Sequence, residues 1–128
     1  VSTFDELMGE VMATADRFGH REHVKLTWLA VRRCGTTAAV ELIGDGIQRT
    51  ARYAGVPQKY NATVSRAWVE LTAYHMAEAP RESFDELLRR NPGLMDKRLL
   101  TRFYHSRTLA SPAARRGWVE PDLHAFPR

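Results

Sequence analysis

The chain's 128 residues, 44% hydrophobic and 27% charged, fit one domain able to bury most of its apolar surface without staples. One cysteine, Cys34, excludes an internal disulfide framework, and no apolar run is long enough to span a bilayer. The formal charge is +4, but the 19 cations, sixteen arginines and three lysines, are spread through every segment and interleaved with 15 acids, so no single basic stripe is expected and nucleic acid is not an expected partner.

Ser2 or Thr3 can cap a first helix, with Asp5 or Glu6 closing a capping box and Phe4, Leu7, Met8, Val11 and Met12 spaced for one buried face. Gly19 separates it from a second helix, about His20 to Arg33, that Cys34-Gly35 stops. Thr36 or Thr37 caps a third, whose stripe of Val40, Ile43, Ile47, Ala51 and Ala54 ends at Gly55 and Pro57. A fourth runs from Tyr60 or Asn61 to Ala77, with Tyr60, Val64, Trp68, Leu71 and His75 on one side. Ala79-Pro80 breaks it. Ser83-Phe84-Asp85-Glu86 then forms a capping box for a short fifth helix that ends near Arg90, before Asn91-Pro92-Gly93. Leu99, Leu100 and Phe103 mark a sixth, and Ser111-Pro112 opens one or two turns ahead of a tail with Pro121 and Pro127.

No alternating β-branched run bounded by turns suggests a sheet. The expected fold is all-α: a compact antiparallel bundle of four longer helices with short C-terminal helices and an irregular tail. It reads as one domain over 1–128, in which 1–17 could form a separate N-terminal helix and 117–128 is the tail. The second helix is apolar nearly all round, because Leu26, Leu29 and Ala30 lie opposite the stripe of His20, Val24, Thr27 and Val31. Such a helix is either central or buried against a second subunit, and a homodimer is the favoured expectation. The N-terminus shows no basic-then-apolar leader pattern and the lone thiol suits a reducing compartment, so a cytoplasmic location without membrane attachment is expected.

His20 and His23 stand one turn apart at the start of that helix, on or beside its apolar face. Imidazoles so placed suit proton transfer, metal ligation or anchoring of a polar ligand, and capping or hydrogen-bonded structural roles are the plainer alternative. Trp28 and Trp68 occupy helical core positions and would wall a cavity between the second and fourth helices. Tyr104 could project a phenol into it or simply pack. Arg115 and Arg116 could pair with a carboxylate ligand or with Glu120 and Asp122.

The segment Phe18-x-His20-x-x-His23-Val24-x-Leu26-x-Trp28-Leu29 resembles the opening of a small family of helical bacterial proteins with no established activity. Similar stretches follow at Lys59-Tyr60-Asn61-x-Thr63-Val64-Ser65-x-Ala67-Trp68, Asn91-Pro92-Gly93-Leu94 and Leu100-x-Arg102-Phe103-Tyr104. The tail adds Leu109-x-Ser111, Ala114-Arg115-Arg116 and Val119-x-Pro121-Asp122. The resemblance covers about His20 to Asp122. It implies a shared polar cluster of the histidine pair and a third side chain at the start of the later helix. Family members carry histidine there, as Tyr-His-x-Thr; this chain has Asn61, a poor ligand for a borderline metal.

No phosphate-binding glycine loop, Cys-x-x-Cys, His-Glu-x-x-His or Gly-x-Ser-x-Gly pattern occurs. Two functions are expected. The first is a small enzyme acting on a small organic molecule by histidine acid/base chemistry, of the isomerisation, cyclisation, dehydration or decarboxylation type. His20, His23 and Asn61 would be catalytic, with Thr27, Trp28, Thr63, Trp68 and Tyr104 around the substrate. No cofactor is expected. If a transition metal assists, His20 and His23 are its ligands. The second is a non-catalytic helical module that binds a small molecule or a partner protein.

Overall fold

The computed structural model describes residues 3–127. It holds α1 (Phe4–Met12), α2 (His20–Tyr53), α3 (Ala62–Glu78), α4 (Phe84–Arg90), α5 (Ser106–Leu109) and α6 (Pro112–Arg116). Single 3₁₀ turns lie at Pro57–Lys59, Pro92–Met95 and Leu99–Arg102, and no strand occurs among the described residues. No helix there is long and apolar enough to cross a membrane.

Local chemistry sets most of the helix ends. Thr3 and Glu6 form the capping box of α1, while Ser2, the other candidate cap, lies outside the described residues. Ser83 with Glu86 does the same for α4, and Ser111 with Pro112 opens α6. Asn61 caps α3, so that helix begins at Ala62, one residue past Asn61 and two past Tyr60. Leu99, Leu100 and Phe103 mark a 3₁₀ turn with its end rather than a sixth α-helix.

One boundary differs. The expected second and third helices are two arms of α2, broken at Gly35 by a left-handed backbone (φ 80°, ψ 170°). That conformation is open to glycine and costly for any residue with a Cβ. Helical geometry resumes at once beyond it, so among the described residues neither Thr36 nor Thr37 makes a hydroxyl cap.

The break lets α2 serve two cores. Its second arm runs antiparallel to α3: Gly44 lies beside Tyr60 and Ser65, while Thr37, Val40 and Glu41 share a hollow with Arg66 and Glu70. Its first arm presents Val24 to a core of Trp68, Leu71, Phe84, Leu87, Leu94, Leu100 and Tyr104. The opposite side, Leu26, Leu29 and Ala30, packs against Phe4, Leu7 and Val11 of α1. Leu26 and Ala30 are fully buried and Leu29 is 9% exposed within one chain. The two-sided apolarity that raised the expectation of a dimer is therefore met by α1 folding over that side, and it supplies no reason for a second subunit.

α1 approaches α2 closely because Gly46 has no side chain. A Cβ there would lie well inside contact distance of the Phe4 ring, which is itself buried. Gly46→Ala should destabilise the protein by about 1–3 kcal/mol through overpacking, measured by urea unfolding. Gly9→Ala, where a Cβ meets nothing within 4 Å, is the helix control and should be neutral or stabilising.

Candidate functional site

The histidine pair starts α2 as the sequence implies, and both imidazoles are partly buried. His20 donates from Nε2 to the Leu94 carbonyl at 2.9 Å and meets the Trp68 ring edge-on, with centroids 4.9 Å apart. That bond ties the first turn of α2 to the 3₁₀ turn at Pro92–Met95. His23 lies against Phe18 and takes no hydrogen-bond partner for its ring among the described residues. Burial, and then the nearby charge of His20, lower its pKa from 6.5 to about 4. A base so weak is mostly neutral at pH 7 and poorly matched to proton transfer there.

Asn61 does not join the pair. Its Oδ1 accepts from the Val64 amide at 2.9 Å and its Nδ2 donates to the Leu109 carbonyl at 2.7 Å, so both ends of the amide serve the fold. His20 touches α3 at Trp68, seven residues further on, about 10 Å along the helix axis. Thr27 gives its hydroxyl to the His23 carbonyl within α2. Trp28 packs on Phe84 with Arg32 over its ring, and Trp68 is buried in the core.

Thr63 and Tyr104 hold the C-terminal segment. The buried Thr63 hydroxyl donates to the Gly117 carbonyl at 2.6 Å and accepts from the Val119 amide at 3.0 Å. Tyr104 donates to the Val119 carbonyl at 2.7 Å; burial, then the carboxylates of Glu120 and Glu70, push its pKa upward, so it stays a protonated donor. Asp122 accepts from the His105 amide and the Thr108 hydroxyl, and these bonds lower its pKa to about 2. The tail is irregular, as expected, yet firmly clasped. Among the described residues, no three His, Cys, Asp or Glu side chains are grouped to share a metal ion.

Two hollows border this clasp. One, about 240 Å³, lies between α3 and the tail, where the charges are already matched. Arg66 pairs with Glu70 at 2.6 Å and stacks over Trp118 at 4.1 Å, while Trp118 Nε1 donates to Glu120 at 2.9 Å. The other, about 360 Å³, is lined by Gln48, Pro57, Gln58, Tyr60, Ala62, Arg115 and Arg116. No acid lines it. The two acids that could have neutralised its arginines are engaged elsewhere, Glu120 with Trp118 and Asp122 with His105 and Thr108. Neither Arg115 nor Arg116 has a carboxylate partner among the described residues. Tyr60 stays a protonated donor here, because burial and the charge of Asp45 raise its pKa against the opposing Ser65 hydroxyl.

The sequence points to the arginine pair but not to its surroundings: Gln48, Gln58 and Tyr60 reach it only through tertiary contact. No protein-family model, no curated protein and no solved structure matches the chain.

Two measurements check this placement. Tyr104→Phe leaves the Val119 carbonyl unpaired, and Thr63→Val leaves both Gly117 and Val119 short of a partner; each should cost about 1–3 kcal/mol in chemical denaturation. For His23, an NMR titration should give a midpoint near 4 rather than 6.5. Because the folded pKa lies below the unfolded one, the unfolded chain gains a proton first as the pH falls. Stability from neutral His23 is thus whole above about pH 6.5 and lost progressively down to about 4, on the order of 3 kcal/mol. His23→Gln should flatten that part of the stability–pH curve; an unchanged curve would show that the ring is not desolvated.

Proposed function

We propose that this protein is a non-catalytic helical module that binds an anionic ligand, carrying a phosphate or carboxylate group, in the hollow walled by Arg115 and Arg116. One observation carries the reading: two arginines line a cavity with no acid in its wall and no carboxylate partner among the described residues. Guanidinium groups form paired hydrogen bonds to planar carboxylates and to phosphates, and the Gln48 and Gln58 amides and the Tyr60 phenol add neutral donors.

The acid/base enzyme reading has weaker support. It asks for His20, His23 and Asn61 around one substrate. Instead Asn61 and Thr63 spend their polar atoms on the chain's own backbone, His20 spends Nε2 on Leu94, and His23 is a weak base. Structural hydrogen bonding accounts for Asn61, Thr63 and His20 without a reaction, and burial accounts for the shift at His23.

Titration of ¹⁵N-labelled protein with pyrophosphate should give saturable shifts at Gln58, Tyr60, Arg115 and Arg116. Arg115→Ala with Arg116→Ala should weaken binding at least about tenfold, the low end for loss of a charge-assisted contact, and leave the circular dichroism spectrum unchanged because both side chains are exposed. Shifts that never saturate, or that survive the double substitution, would remove the site.

A further inference from the structure

We infer that the anion recognised at this hollow belongs to the backbone of a single-stranded nucleic acid; the inference rests on the anion-binding reading and names its partner. The charge of the chain is less evenly mixed than its composition suggests. No acid occurs from Gly46 to Val69 or from Lys97 to Val119. Those stretches carry Arg49, Arg52, Lys59, Arg66, Lys97, Arg98, Arg102, Arg107, Arg115 and Arg116, more than half of the 19 cations, so the remainder of the chain is net acidic. The fold joins the two stretches at the arginine hollow, where Gln48, Gln58 and Tyr60 of the first meet Arg115 and Arg116 of the second.

Positive charge continues beyond that hollow. Lys59 follows Gln58 directly, and Arg52 lies one helical turn past Gln48 on the same side of α2. Arg52 also lines a second hollow, on the α1 side of α2, with Arg49 and Tyr53. None of Arg49, Arg52, Lys59, Arg115 and Arg116 has a carboxylate partner among the described residues. Arg49 lies 6.0 Å from the Phe4 ring centroid. Two acids adjoin the track, Asp5 in the second hollow and Asp45 one turn before Arg49, which leaves the cations in excess. Tyr53 is 97% exposed at the end of α2, beside these arginines. A small phosphate would use Arg115 and Arg116 and leave the rest of the track idle. A polyanion would use it all. An open aromatic ring next to unpaired arginines suits a base that is free to stack, which selects a single strand over a duplex.

The test is fluorescence anisotropy with a labelled oligothymidylate of about 12 nucleotides, compared with a duplex of equal length. Binding should be saturable and tighter for the single strand. It should weaken roughly twenty- to fiftyfold between about 50 and 200 mM salt, as three or four phosphate contacts on a single strand require. Tyr53→Ala should lower affinity about fivefold or more at unchanged fold, and Arg115→Ala with Arg116→Ala should lower both the affinity and the salt slope. Equal or tighter duplex binding, or full affinity in Tyr53→Ala, overturns the inference. So does pyrophosphate binding without oligonucleotide binding, which leaves the anion pocket standing; loss of both removes the pocket as well.

Discussion

The buried hydroxyl of Thr63, bonded to both the Gly117 carbonyl and the Val119 amide, is the contact on which the placement of the C-terminal segment depends. Residues 117–127 form no helix, so their backbone groups lack the intrahelical partners that regular structure supplies and must find them elsewhere. Thr63 gives two of those partners, Tyr104 a third and Asn61 another just upstream at Leu109. Trp118 and Phe126 then pack with Tyr104 and Phe103 and exclude water from the bonds. The short helix α6 is held between two of these fastenings, at Leu109 and Gly117, and its arginines face the start of α3 for that reason.

Gly35 makes a complementary contribution within α2. An unbroken helix over 20–53 would present its apolar residues along one continuous path, and α3 alone could not cover both sides of the first arm. Reversing the backbone to positive φ at a single residue turns the two arms apart. One side of the first arm then meets α1 and the other meets α3, α4 and the turns near Leu94 and Leu100. The cost of the break is small because glycine carries no Cβ to clash.

Signals contained within a few residues were legible in the sequence. Thr3 with Glu6, Ser83 with Glu86 and Ser111 with Pro112 state their helix starts locally, and Gly35 and Gly55 mark the two positive-φ positions. What was not legible depends on distant pairing. The histidine pair and Asn61 look like one cluster because each opens a helix, but Asn61 finds Leu109 and His20 finds Leu94. Nothing near either residue announces those partners. The arginine pair shows the same limit in reverse: Glu120 and Asp122 are near enough in sequence to neutralise it, and only the fold commits them to Trp118, His105 and Thr108. The acid-free stretches, by contrast, were readable; a count of cations and acids over the whole chain hides them, and a windowed count does not.

A perturbed pKa and an unpaired charge carry different information about function. His23 is shifted because burial removes water from it and the charge of His20 lies nearby, and that shift lowers stability below pH 6.5 without preparing a base for pH 7. Arg115 and Arg116 are exposed, so water stabilises their charge and the fold spends nothing on keeping them apart from carboxylates. Their value therefore lies in what they can still do. Each solvated arginine gives a modest gain against one anion and loses side-chain freedom when it binds. Tight binding by such groups requires several of them to act on a single ligand, and their strength must fall with added salt. A surface of the proposed kind would favour a long, multiply charged partner over a small one, because such a partner engages several cations at once.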